Sequence, residues 1–314
     1  MDTARNKHSD ELVEAEELWT MEAVDKEAFI CRGCAVQVFP VSYDKARHRK
    51  RPHFRLGPGR RHALDCRVDG EAQLVAAGRK ASVHTGEGFP FPFPNSLVVR
   101  EKRPIVADTV NGEVAAGPGR QRVSGGGGAA RAMHHGHTVG SIRPICRAFL
   151  NMPHDRHRLP LRVPGVEGTT YQQVFRHAKS ALTAEVPVRG LFYGPIRWTA
   201  KPVADGTSCE LTLNTGEWDD EQRRFKAFVR VRFAWEQWSK RERTALLEEW
   251  TVAQDEAKEG AGKGSDVKGW LFFVGIRDTA DKTLFHVDAF PMACCLADEM
   301  IIPGANGAGV RRRL

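Results

Sequence analysis

Residues 225–259 read FKAFVRVRFAWEQWSKRERTALLEEWTVAQDEAKE, and the hydrophobic period changes once within them. Up to Trp235 the residues alternate as on a strand: Phe225, Ala227, Val229, Val231, Phe233 and Trp235 share one face, expected to be the core face. Lys226, Phe228, Arg230 and Arg232 take the other. From Lys240 a long helix runs to Glu259 and stops at GAGKG (260–264). Strand-like runs flank this pair on both sides. LFYGPIRW (191–198) and SCELTLN (208–214) precede it; GWLFFVGI (269–276) and TLFHVDAF (283–290) follow, with DTADK (278–282) as their turn. Strand, strand, strand, helix, strand, strand is the order of the OB-fold, a Greek-key barrel of about five strands. A mixed sheet covered by one helix would read the same. The expected class is α+β, with a β-rich domain of OB-like strand order over residues 141–300.

Towards the N-terminus of that domain, SIRPICRAFL (141–150) reads as a strand or short helix and LPLRVPG (159–165) as extended. TTYQQVFRHAKSAL (169–182) reads as a helix opened by a Thr cap. Residues 85–140 contain GEGFPFPFPN, GEVAAGPGRQRVSGGGGAARA and HHGHTVG, where Gly and Pro interrupt every element; they predict a long linker. Residues 25–84 form a small cysteine-bearing module with strands at AFIC and VQVF. Residues 1–24 are an acidic leader whose Glu11, Glu14, Glu16 and Glu17 fit a short exposed helix, and 301–314 are a basic tail ending in Arg311, Arg312 and Arg313.

The chain has 314 residues, 41% apolar, with a formal charge of +8. That composition excludes collagen-like and wholly disordered classes and favours a polyanionic partner. No run approaches the roughly 18 apolar residues of a membrane span, and the acidic start differs from a secretory signal. A soluble, cytoplasmic protein is expected. Seven cysteines, an odd number without an export signal, point to reduced thiols. Cys146, Cys209, Cys294 and Cys295 lie among apolar neighbours, as small core residues do.

Cys31, Cys34 and Cys66 need another explanation. The segment CRGCAVQVFPVSYDKARHRKRPHFRLGPGRRHALDC (31–66) carries Cys31-x-x-Cys34, His53 and His62-x-x-x-Cys66. A C-x-x-C turn presents two thiolates from one knuckle, and a second pair four residues apart can close a tetrahedron. Thiolate and imidazole donors favour Zn2+, and four protein ligands leave no position for reactive water, so the expected role is structural. His53 competes for the fourth place; its spacing to Cys66 favours His62. The alternative is a set of unrelated core cysteines and surface histidines.

Phe29, Cys31, Cys34, Pro52, His53, Phe54 and Cys66 form an F-x-C-x-x-C, P-H-F, Cys pattern. It resembles the N-terminal zinc-binding module of the CoiA-like competence protein family, over about residues 27–70. Members commonly carry H-F-x-H, where this chain has Leu56 in place of the second His. The resemblance implies a setting in DNA uptake, mobile-element transfer or defence, and a nuclease-like domain after the module. That domain needs an Asp and an Asp/Glu-x-Lys. Asp108 and Glu113 are the nearest match, with Ala115 where Lys is required, and Glu71 lies upstream. Solvated loop acids explain these as well, and an intact nuclease is not expected.

Two surfaces fit nucleic acid. Lys45, Arg47, Arg49, Lys50, Arg51, Arg55, Arg60 and Arg61 form a run suited to a phosphate-binding arm. On the strand at 225–235, Phe228 lies between Lys226, Arg230 and Arg232, a stacking ring among cations. Tyr193 and Arg197 would extend that face or be half-buried structural residues. His134, His135 and His137 read as solvated linker residues, and His286 and Asp288 beside Cys294 and Cys295 need no nucleophile to explain them. The expectation is a DNA-binding protein with structural zinc and no catalysis. A divergent metal-dependent DNA nuclease and a protein-interaction adaptor in a larger assembly are the alternatives.

Overall fold

The computed structural model describes residues 1–44, 48, 50–85, 88–90, 92–98, 136–184 and 189–303. Strands β1 (Thr3–Asn6), β2 (Leu12–Glu14) and β3 (Phe29–Ile30) form an antiparallel sheet in the order β2-β1-β3. Strands β4 (Val38–Val41) and β5 (His53–Leu56) pair beside it, and helix α1 (Glu71–Gly78) follows. The apolar core of this module is small. Phe29 and Phe54, with ring centroids 5.1 Å apart, are its only large buried rings among the described residues.

The C-terminal part is built on one mixed sheet. Short strands β6 (Phe93–Leu97) and β7 (Gly136–Val139) pair in parallel ahead of helix α2 (Arg143–Asn151). Helix α3 (Tyr171–Val174) leads into β8 (Phe175–His177), then β9 (Arg189–Pro195), β10 (Val203–Ala204), β11 (Ser208–Asp219) and β12 (Arg224–Ala234). Helix α4 (Lys240–Gly262), β13 (Lys268–Arg277), β14 (Leu284–Val287) and β15 (Ala293–Asp298) complete it. The strand order is β10-β11-β12-β14-β13-β9-β8, with β15 also on β13. Only β12 with β14 and β8 with β9 run parallel in this sheet. Among the described residues a single backbone bridge, Ile196 to Leu213, links the end of β9 to β11, and they show no hydrogen-bonded closed barrel.

Helix α4 starts where Ser239 and Glu242 satisfy each other's backbone amides in a capping box. It packs on β13 and β15, burying Leu246, Trp250, Ala253 and Ala257. It comes close because Gly269 has no side chain: a Cβ there would lie 2.9 Å from the Ala253 carbonyl. No helix among the described residues is long and apolar enough to cross a membrane.

Three expectations are corrected. The leader is not an exposed helix. Its residues form β1, β2 and a 3-10 turn at Ala15–Trp19, and Glu14 and Glu16 are buried. The helix expected over 169–182 is one turn long. Its remainder pairs with β9 as β8 or forms a 3-10 turn, because Phe175 is drawn onto Phe149 with ring centroids 3.9 Å apart. Both ends of the 85–140 linker are structured, with Phe89, Phe93 and Leu97 in the core; residues 99–135 lie outside the described residues.

The two parts meet across a buried ionic seam. Arg143 donates to Glu14 at 2.8 Å and also pairs with Glu249. Arg51 reaches Glu16 at 3.1 Å, Glu256 at 3.0 Å and the Cys295 carbonyl at 3.1 Å. Burial pushes Glu16 up, but Arg147, Arg143 and Arg51 together hold it down to about 2. Its neighbour Glu17 goes the other way: burial, then the Glu14 carboxylate, raise it to about 7. Between its ordinary value of 4.5 and about 7, folded Glu17 keeps a proton the unfolded chain has released, so stability falls as pH rises through that window. Glu17→Gln is expected to remove that fall and add about 2 kcal/mol at pH 8. Urea midpoints at pH 5 and pH 8 measure it; an unchanged pH dependence would reject this origin.

Candidate metal centre

Each ligand position is fixed by backbone geometry close in sequence. Cys31 follows β3, and the chain turns back when the Ala35 amide donates to the Cys31 carbonyl at 3.1 Å, with Ala35 at φ 57°. Gly33 lies against the facing segment: a Cβ there would meet Val68 Cγ2 at 2.9 Å and Cys66 Sγ at 3.1 Å. His62 and Cys66 come from the loop after β5, where the Cys66 amide closes a turn on the Ala63 carbonyl at 3.0 Å.

The ligand atoms of Cys31, Cys34, His62 and Cys66 all lie within 4.8 Å of one another. Cys31 Sγ is 3.8 Å from Cys66 Sγ; His62 Nδ1 is 3.4 Å from Cys34 Sγ and 3.5 Å from Cys66 Sγ. Zinc bonds of about 2.3 Å to sulfur and about 2.0 Å to nitrogen, at tetrahedral angles, require S–S near 3.8 Å and S–N near 3.5 Å. The group could therefore hold a metal ion. Burial pushes the Cys34 thiol up, but the Ala63 and Val36 amides and His62 outweigh it and bring it to about 6. Burial and the Cys34 thiol push Cys66 up to about 11. His53 is not in the group: its Nδ1 lies 3.4 Å from the Arg51 carbonyl, on β5 opposite Val41.

The basic run divides. Lys45, Arg47 and Arg49 lie outside the described residues; Lys50 is exposed. Arg51, expected on a phosphate-binding arm, points inward with its side chain 16% exposed and its guanidinium held in the seam. Arg60 and Arg61 are exposed just before the ligand His62, and Arg55 is exposed on β5. Arg67, overlooked because it follows the last ligand, is exposed too. None of these four forms an ion pair with another described residue.

On β12, Val229, Val231, Phe233 and Trp235 are buried as the alternation requires. Phe225 is not. The ladder pairs Glu217 with Ala227 but Trp218 with Phe225, so Lys226 is an extra residue and the bulge turns Phe225 onto the face of Phe228. Trp218, Phe225 and Phe228 then make a chain of rings about 5.0 Å apart, with Arg197 over Phe228 at 4.1 Å. The cations of this face have carboxylate partners. Arg230 meets Glu210 and Asp281, Arg232 meets Glu210, and Lys226 lies 4.0 Å from Asp219. Tyr193 is packed among Phe149, Trp270 and Phe272.

The remaining candidates are not members of the metal group. Glu71 is paired with Arg32. His286 Nε2 meets Asp278 at 2.9 Å, Asp288 gives its carbonyl to Trp238, and Cys294 and Cys295 are buried with Cys146 and Cys209. His137 lies on β7, its basicity lowered by burial and then by Arg32. Asp108, Glu113, Ala115, His134, His135 and Arg311 to Arg313 lie outside the described residues. Compared with protein-family models, with curated proteins and with solved structures, the chain matches none.

Proposed function

We propose that this chain is a DNA-binding protein without catalytic activity, in which Cys31, Cys34, His62 and Cys66 hold a structural Zn2+ that shapes a phosphate-contacting loop. The observation that carries the reading is the exposure of Arg60, Arg61 and Arg67, which flank the ligands His62 and Cys66 in sequence, and of Arg55 on β5, all unpaired among the described residues. Guanidinium groups with no internal partner are free to neutralise phosphates and release counterions. The Cys3His donor set is soft, leaves no open coordination position and fits zinc rather than magnesium or calcium. The setting in uptake, transfer or defence against foreign DNA rests on the resemblance of residues 29–66 to the CoiA-like module.

For the C-terminal sheet we read an OB-like barrel opened between its first two strands. In support, β9, β11, β12, β13 and β14 neighbour one another in a Greek-key order with α4 between the third and fourth, β12 runs parallel to β14, and the Ile196–Leu213 bridge lies across the gap. A protein-docking role is favoured for one part of it. The Trp218, Phe225 and Phe228 ledge stands among acids (Glu217, Asp220, Glu221) and cations (Arg223, Arg224, Lys226) alike, with Arg197 over Phe228, a mixed apolar and charged surface that suits a protein partner.

Replacing Arg55, Arg60, Arg61 and Arg67 with Ala is expected to weaken binding to all duplex sequences alike. The log–log salt slope should flatten by up to about 0.9 per lost contact. Metal content should not change. Affinity and slope equal to wild type would reject this surface.

A further inference from the structure

We infer that the metal loop carries an apolar wedge, Leu64, that enters the minor groove of duplex DNA and unstacks a base step; this rests on the DNA-binding reading above. Leu64 is fully exposed, while the next most exposed large apolar residue among those described, Val203, is 71% exposed. A singly exposed apolar side chain is ordinary; what sets this one apart is its place on a turn braced at both ends. Leu64 is a central residue of the turn that the Cys66 amide closes on the Ala63 carbonyl. It stands two residues from His62 on one side and two from Cys66 on the other, so both ends of the turn are tied to the metal group.

Charge identifies the occupant. Arg60 and Arg61 precede the turn, Arg67 follows it, and Arg55 lies on the adjoining β5, against Asp65 alone within the turn. Proteins that kink DNA from the minor groove combine an inserted Leu, Ile, Phe, Met or Pro with arginines on the groove walls and phosphates. Only the side chain has to enter the minor groove, which is about 6 Å wide before the kink opens it. A lipid surface is the poorer fit. Its neighbours Gly57, Pro58, Gly59 and Ala63 add little apolar area, and even one whole acyl chain gives only marginal membrane binding.

The test uses the full chain and a short duplex labelled at its ends for energy transfer and carrying 2-aminopurine at successive steps. Wild type should shorten the end-to-end distance and raise 2-aminopurine fluorescence at one step. Leu64→Ala should lose both signals and about tenfold in affinity, keep its metal and retain the wild-type salt slope, since the arginines remain. Leu64→Met should behave as wild type. If Leu64→Ala bends and unstacks DNA as wild type does, the wedge is wrong and the DNA-binding reading stands. If wild type binds no duplex at physiological salt, both fail. Binding to phosphatidylserine vesicles that depends on Leu64, without duplex binding, would likewise overturn the wedge.

Discussion

Cys34→Ser is expected to abolish stoichiometric zinc and to unfold the N-terminal module while the C-terminal sheet stays folded. The asymmetry follows from the two cores. The module buries few side chains beyond Ala4, Val13, Leu18, Phe29, Val38 and Phe54, too little apolar area for a fold of this size to stand alone. The sheet buries Trp250, Trp270, Phe192, Phe233, Phe272, Phe273 and Phe285 in one continuous core. Structural zinc in small modules contributes about 10–16 kcal/mol of apparent binding energy, and that energy is folding energy. Loss of one thiolate should therefore remove most of the module's stability. Elemental analysis and hydrogen exchange across residues 1–84 measure it together. Amides at Cys31, Ala35 and Cys66 should lose protection, those in β11 to β13 should keep it, and His53→Ala should resemble wild type. Protein purified without chelators that contains no zinc, or a Cys34→Ser module protected as in wild type, would reject the structural metal.

The parts of this architecture legible in the sequence are those written in short range. Cys31 and Cys34, and His62 and Cys66, are two local pairs whose spacings point to a metal group, although Cys31 and Cys66 are 35 residues apart. Strands β9, β11, β12, β13 and β14 and helix α4 were legible from their hydrophobic periods, whereas β10 and β15 were not read as strands. What stayed hidden depends on distant partners. Phe225 belongs to the core by alternation, but one bulge residue, Lys226, reverses the parity beyond it. The 169–182 segment has the cap and spacing of a helix, yet pairing with β9 and stacking on Phe149 prevail over propensity. Arg51 sits in a run of cations and looks solvated. Its partners Glu16 and Glu256 are respectively 35 and 205 residues away, beyond any local signal. The leader was misread for the same reason, since its buried acids are explained by Arg51, 35 residues on, and by Arg143 and Arg147, 129 and 131 residues from their partners.

Those arginines set the second large expectation: Arg143→Met should destabilise the protein by about 3–5 kcal/mol at pH 7.5. Arg143 is buried between Glu14 from the leader and Glu249 from α4, and its Nε faces Glu16 at 4.0 Å. Neither Arg143 Nε nor Glu16 Oε2 has a hydrogen-bond partner, so that contact is purely ionic. Removing the guanidinium leaves Glu14 and Glu249 charged in a dry seam. Burial already raises Glu249, and without Arg143 opposing it the raise must grow. Folded-state carboxylates raised above their unfolded values take up protons as pH falls, so the variant should recover stability towards pH 5 and its gap from wild type should narrow. A second substitution, Glu249→Leu, should return part of the loss at pH 7.5, because breaking a buried pair costs more than replacing both partners. Ser141 still donates to Glu14 at 2.7 Å, so the leader should stay attached but become accessible to protease ahead of the rest. A gap below 1 kcal/mol, or one independent of pH, would mean that the seam is hydrated and that the leader is held by β1 and β2 alone.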